Sequence, residues 1–214
     1  YVDDMEVLPG QPHSVAISRK ILNLSPRFAG VAIYDDGIQR PATASPFSGS
    51  INAITFSENA STLYGYNNET TEFGFYRMNI DASGVSITDV SSNTIYGFAV
   101  DIVFDGGLVY ATSGQVVNPG NLTPVLAGSF PGIFYSNAVC PDSALGRTFF
   151  VDSKGTSYTY TVSAFDQTTL SLLGKIMIQG NAGVAGRLIR WGANGLAFRT
   201  SGDQIFLLKN PVFQ

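Results

Sequence analysis

An all-β fold is what this 214-residue sequence predicts, and three observations predict it. Short runs rich in Val, Ile, Tyr and Phe alternate apolar with polar residues. Gly, Asn, Asp and Ser punctuate those runs at turn spacing. No stretch keeps a 3.6-residue apolar stripe over about 12 residues, which excludes helical solenoids. A four-stranded meander then recurs along the chain with a period of roughly 40–50 residues, the period of a β-propeller blade.

The clearest copy spans 51–90. Ile51 to Phe56 is an apolar strand, and Ser57 to Ser61 (SENAS) is a polar turn. Thr62 to Tyr66 is the second strand, with Asn67 to Glu72 as its connection. Phe73 to Ile80 is the third, and Asp81-Ala-Ser-Gly84 leads into the fourth, Val85 to Val90. Aligning the chain on this copy gives five first strands: Met5 to Leu8, Ala53 to Phe56, Asp101 to Phe104, Asn137 to Cys140 and Leu188 to Trp191. Their last residues lie 48, 48, 36 and 51 positions apart.

Second strands follow at Ser14 to Ser18, Thr62 to Tyr66, Leu108 to Thr112, Arg147 to Val151 and Leu196 to Thr200. Pro9-Gly10-Gln11-Pro12, Asp105-Gly106-Gly107 and Gly192-Ala-Asn-Gly195 join first to second strands, because Gly and Asn tolerate the positive φ of a tight hairpin. Third strands are expected at Gly30 to Tyr34, Phe73 to Ile80, near Val116, Tyr158 to Phe165 and Gln204 to Leu208. Asp81 and Asp166 each follow an apolar residue and precede small polar ones, which predicts Asx turns rather than ligand sites. The blades fall at about 1–48, 49–96, 97–131, 132–182 and 183–214. A β-sandwich has no reason to repeat this pattern five times. The fifth repeat stops after its third strand, so Asn210 to Phe213 or the first residues complete the ring, or the chain belongs to a longer one. Open blade edges and apolar faces favour the longer chain.

Composition removes several functions. Lys and Arg number 12 against 16 Asp and Glu, a net charge of −4, and no basic run is long enough to follow a phosphate backbone. Nucleic acid is therefore not an expected partner. No apolar segment reaches the roughly 18–20 residues of a membrane helix, so membrane insertion is not expected either. Cys140 is the only cysteine, which excludes an internal disulfide and a cysteine-based zinc site; in its apolar strand it reads as a small buried hydrophobe. The chain starts at Tyr1 without Met and enters a strand directly, as a processed or excised piece would. Asn-X-Ser/Thr triplets at Asn23, Asn59, Asn68 and Asn121 are expected by chance in so Asn-, Ser- and Thr-rich a chain.

The strand–turn–strand units, with an apolar residue and Asp after the third strand, resemble bacterial YVTN-type (lactonase/YncE-like) propeller repeats. VLPGQPHSVAIS, GVAIYDDGIQRP, LYGYNNETTEFGF, VDIVFDGGLVYAT and RWGANGLAFRTSGDQIFLL look like the C-terminal blades of large secreted bacterial proteins. The resemblance covers nearly the whole chain. It implies a propeller of about seven blades accompanying adhesion-type modules, at an extracellular or cell-surface location, and it implies little about activity.

Among residues that could carry chemistry, the segment from Tyr64 to Phe75 is the most unusual. It holds Glu69 and Glu72, two of the four Glu residues, beside Tyr66 and other aromatics, with Arg77 just beyond. Carboxylates beside rings suit sugar binding, since acids accept hydroxyl hydrogen bonds and rings stack on the apolar sugar face. A solvated hairpin with packed aromatics is the simpler reading. His13, the only histidine, could act as a general base, yet no nucleophile motif or carboxylate spacing accompanies it. Asp35-Asp36-Gly37 and Asp101 with Asp105-Gly106-Gly107 lack the alternating oxygen ligands that calcium needs. Arg190 and Trp191 read as packing between blades. The glycines from Gly180 to Gly186 precede a strand, so they have no helix dipole to hold phosphate.

The expectation is a non-catalytic interaction module that binds a glycan or protein, or other domains of its parent chain, through its loops. His13, Tyr66, Glu69, Glu72 and Arg77 are the candidate binding residues; no cofactor and no metal ligand is expected. A lactonase- or lyase-like enzyme using His13 with Glu69, Glu72 or Asp101 is the second reading, and a structural spacer the third.

Overall fold

The computed structural model describes residues 1–45, 49–154, 159–180 and 183–213. The alternating runs become five consecutive antiparallel sheets. The first is β1 (Val2–Leu8), β2 (Gln11–Lys20), β3 (Phe28–Asp35) and β4 (Ile38–Gln39), in that order. The second is β5 (Ala53–Phe56), β6 (Thr62–Tyr66), β7 (Phe75–Asp81) and β8 (Gly84–Ser91). The third is β9 (Ile102–Asp105), β10 (Leu108–Ala111), β11 (Gln115–Asn118) and β12 (Val125–Ser129). The fourth is β13 (Ala138–Asp142), β14 (Arg147–Lys154), β15 (Thr159–Asp166) and β16 (Leu172–Gln179). The fifth has three strands, β17 (Ala185–Arg190), β18 (Gly195–Thr200) and β19 (Ile205–Lys209).

The expected first, second and third strands are all present, with ends moved by a few residues. The third strand of the fourth repeat was placed from Tyr158, which lies outside the described residues; within them it starts at Thr159. Asn181 and Ala182 of the glycine-spaced stretch also lie outside them. The Asx turns form as predicted. Asp81 Oδ1 accepts from the Ser83 backbone at 2.8 Å and from its hydroxyl at 2.6 Å. Asp166 Oδ1 accepts from the backbones of Thr168 and Thr169 at 2.9 and 2.7 Å. Hydrogen bonding from Ser83 and Thr169 holds both carboxyls below the usual carboxylate range.

The chain forms two compact units, one of Tyr1–Val109 with Val116–Ala127, the other of Tyr110–Gln115 with Gly128–Gln214; the third sheet contributes to both. In the first unit, one face of the first sheet (Leu8, Ala16, Val31, Ile33) packs on the second sheet's Ile54, Leu63, Tyr76, Met78 and Ile80. In the other unit, one face of the fourth sheet (Phe149, Val151, Tyr160, Val162, Ala164) packs on Leu188, Leu196 and Phe198 of the fifth. Tyr160, Phe198 and Phe206 form its aromatic centre, with ring centroids 4.8 to 5.3 Å apart.

Among the described residues, neither end of the sequence adds a strand to the fifth sheet. The first residues form β1, which pairs with β2. After β19, Pro211–Phe213 is one turn of 3-10 helix with Phe213 buried against Phe149, ring centroids 5.8 Å apart. Arg147 Nη1 donates to the Val212 carbonyl at 2.9 Å and Arg190 Nη1 to the Phe213 carbonyl at 3.1 Å. Trp191, the only tryptophan, directly follows β17 and is exposed, with the Lys209 ammonium 5.6 Å from its ring centre.

Candidate functional site

The β6–β7 connection, where the sequence concentrates carboxylates and rings, is tied to itself. Asn67 Oδ1 accepts from the Glu69 and Thr70 backbones at 3.2 and 3.0 Å, an Asx-type fold of the loop. Asn67 Nδ2 donates to Glu72 Oε2 at 2.6 Å. The Tyr76 hydroxyl donates to Glu72 Oε1 at 2.9 Å. Burial, followed by the Glu72 carboxylate, pushes the Tyr76 hydroxyl above its ordinary range. Tyr66 is fully buried and donates its hydroxyl to the Gly97 carbonyl at 3.0 Å, so its ring is core.

Glu69 points to a different set of partners. Its carboxylate accepts from the Arg27 backbone at 2.8 Å and from Asn52 Nδ2 at 3.0 Å. Asn52 Nδ2 also donates to Asp3 Oδ2 at 3.1 Å, and Asp3 receives Lys20 Nζ at 3.0 Å and Arg27 Nε at 3.2 Å. The Asp3 side chain is only 9% exposed. Burial alone would raise its carboxyl, but the hydrogen bonds from Asn52 and Lys20 and the Arg27 charge outweigh it and lower it. Asp3, Lys20, Arg27, Asn52 and Glu69 are thus one polar joint between the first and second sheets. Sequence reasoning missed all but Glu69; the available signal was Asn one residue before a first strand, at Asn52 and again at Asn137.

Arg77 stands on β7 with its guanidinium against the segment after β11. Nη1 donates to the carbonyls of Pro119 and Asn121, both at 3.0 Å, and Nη2 to that of Leu122 at 2.7 Å. Asp89 Oδ2 balances its charge at 3.3 Å. His13 is exposed, with Nδ1 2.9 Å from Asp36 Oδ1 at the β3–β4 turn. Asp101 Oδ1 accepts from the Ile102 backbone at 2.9 Å. Cys140 is buried. The structure therefore joins Glu69 to the Asp3 joint, Glu72 to its own loop, Arg77 to a neighbouring segment and His13 to an exposed turn. No group of three or more His, Cys, Asp or Glu among the described residues could hold a metal ion.

A different surface has the form of a ligand site. One face of the fourth sheet carries a cleft of about 400 Å³ lined by Phe150 and Asp152 of β14, Thr159, Thr161 and Ser163 of β15, and Lys175 and Met177 of β16, with Gly132 and Ile133 from the connection before β13. Register makes rows of these residues: Phe150 opposes Ser163, which opposes Lys175, and Asp152 opposes Thr161, which opposes Met177. Residues two apart along a strand share a face, so the hydroxyls of β15 stand in line. At the apolar end, Phe130 covers Phe150 and Phe165 with centroids 5.2 Å from each. The readable signal was the alternation Thr-Tyr-Thr-Val-Ser-Ala from 159, which sends tyrosine and valine to the core and the Thr and Ser hydroxyls to the other face.

No family model matches the chain, and no curated protein matches it in sequence. Among solved structures it is similar to Kuenenia stuttgartiensis hydrazine synthase, with a TM-score of 0.61 at 12% identity, over 94% of this chain and 66% of that one. It is also similar to the β-propeller domain of Myceliophteria thermophila Cps50 (Swd1), with a TM-score of 0.69 at 12% identity, over 96% of this chain and 69% of that one. The chain spans about two thirds of the length of each. Identity that low carries fold alone: this is a β-propeller fold of antiparallel blades, and the chain supplies five of them.

Proposed function

We propose that this chain is a non-catalytic interaction module that takes a polar, extended ligand, a glycan in the first instance, in the cleft of the fourth sheet. The observation that carries the reading is the line of Thr159, Thr161 and Ser163 between Asp152 and Lys175. Hydroxyls both donate and accept, Asp152 accepts, Lys175 donates, and the exposed Met177 offers apolar surface to a sugar face. The resemblance of the repeats to YVTN-type blades of secreted proteins supports an extracellular or surface setting, which fractionation of the source cells tests. An enzyme of lactonase or lyase type is the weaker reading, because Glu69 and Glu72 spend their carboxylate oxygens on backbone, asparagine and tyrosine donors.

The test is a panel of immobilised oligosaccharides and unstructured peptides, probed with the wild-type protein and with Lys175→Ala and Thr161→Val. Both side chains stand on the open face, so folding is unaffected. A bound oligosaccharide should raise unfolding free energy by about 2.7 kcal/mol at a hundredfold excess over Kd, and both variants should lose that gain. Binding that survives both substitutions removes the cleft from the reading, and binding to peptides alone replaces the glycan with a protein partner.

A further inference from the structure

The first sheet is apolar on both faces, and the second sheet covers one of them. Leu8, Ala16, Val31 and Ile33 face the second sheet. On the opposite face, Val7 opposes Val15, which opposes Tyr34, and Met5 opposes Ile17, which opposes Ala32. Met5 is 57% and Val7 58% exposed. Strands that are apolar on both faces belong to sheets buried on both. A polar rim frames the patch: Arg19 Nη1 and the Tyr34 hydroxyl donate to Gln39 Oε1 at 2.9 and 3.0 Å. An apolar centre with a polar rim is the anatomy of an interface rather than of a solvated surface.

We propose that the face of Met5, Val7, Val15, Ile17 and Tyr34 docks another antiparallel sheet, a further blade carried by the natural polypeptide outside these 214 residues. Three observations select that occupant. The opposite face of the same sheet is covered by a four-stranded antiparallel sheet, so the docking mode already exists beside it. The second unit repeats that mode, with the fourth sheet packed on the fifth. Solved chains of the same fold extend beyond this one, which spans 66% and 69% of their lengths. The fifth sheet, taken by itself, shows the same condition: Ile189 opposes Ala197, which opposes Leu207, on a face where Ile189, Leu207 and Ile205 are exposed. This inference is independent of the ligand cleft, which lies on other residues.

The experiment is thiol protection in the natural protein. Cys140 is buried and is the only cysteine of this segment, so Val7→Cys and, separately, Met5→Cys introduce one accessible thiol each. Leu122→Cys, at a side chain 95% exposed, is the reference. Maleimide modification is followed by peptide mass spectrometry, with intact mass and light scattering on the same sample. The proposal expects both face thiols to react at least about tenfold more slowly than the reference, since thiol reaction follows access. It also expects the protection to survive dilution and the chain to be heavier than 22.8 kDa. Reaction at the reference rate overturns it. So does protection lost on dilution, or protection in a dimer of 22.8 kDa chains, since either means that a second molecule covers the face.

Discussion

Replacing Arg77 with Met separates a structural from a ligand-binding role for the most connected side chain on β7. The guanidinium makes three bonds to carbonyls of Pro119, Asn121 and Leu122 and one ion pair to Asp89. Charge-assisted bonds are worth about 1.5–3 kcal/mol each where water is excluded. Here the arginine side chain is about a quarter exposed and residues 120–122 are exposed, so the freed Asn121 and Leu122 carbonyls rehydrate, while Pro119 is buried. About 1 kcal/mol per carbonyl remains, and the methionine retains most of the apolar stem, which places the loss at roughly 2–3 kcal/mol. Urea unfolding followed by far-UV dichroism reads it, and amide exchange at residues 120–122 should accelerate in parallel. Arg77→Lys should recover less than half, because an ammonium lacks the planar fork that serves several carbonyls at once. Asn121→Ala should cost less than about 0.5 kcal/mol, since its contribution is a main-chain oxygen. A methionine variant within about 0.5 kcal/mol of wild type, with unchanged exchange, would refute the reasoning.

Asp35 gives a prediction in pH. Arg40 binds both its oxygens, Nε to Oδ2 at 2.8 Å and Nη2 to Oδ1 at 2.9 Å, and with the Ser14 hydroxyl holds the carboxyl at about 2 instead of 3.8. A lowered carboxyl contributes stability that is complete above 3.8 and disappears as pH falls toward 2; the NMR titration of Asp35 should show that midpoint and Arg40→Met should return it to the ordinary range. Gly84→Ala should cost about 3 kcal/mol or more, because a Cβ there would stand 2.0 Å from the Ala42 carbonyl oxygen at φ +133°, and thermal unfolding measures it. His13→Ala should change unfolding free energy by less than about 1 kcal/mol, since its pair with Asp36 is exposed on both sides; a larger loss would give His13 a role the turn does not explain.

Local order was legible and lateral partnership was not. Thr62 to Tyr66 could be bounded to the residue because a polar turn precedes it and a run of Asn, Glu and Thr follows. The third strand around Val116 could only be placed approximately, since Gln115–Asn118 is four residues long with glycine just before it. β4 is two residues long and carries no periodicity at all. The candidate site fared worse for a physical reason. Glu69 finds Arg27 and Arg77 finds Pro119, each 42 positions away, one blade along the chain, and no local pattern encodes such a pairing. Glu69 and Glu72 look like a pair in sequence, yet a loop folded around Asn67 turns them to different partners. The cleft was half legible: β15 announces a polar face, but Asp152 and Lys175 join it only through strand register.

The solitary Trp191 has a spectroscopic consequence. Its exposed ring sits beside the Lys209 ammonium at the end of the fifth sheet, so intrinsic emission on tryptophan excitation is a signal from the second unit only. Tyr64, Tyr66 and Tyr76 all lie in the first, and an isotope-labelled tyrosine at any of them reports that unit alone. Denaturation followed at both places on one sample decides whether the units melt as a single cooperative block, with superimposable transitions, or in sequence. The amino-acid sequence thus carries a built-in optical probe of cooperativity.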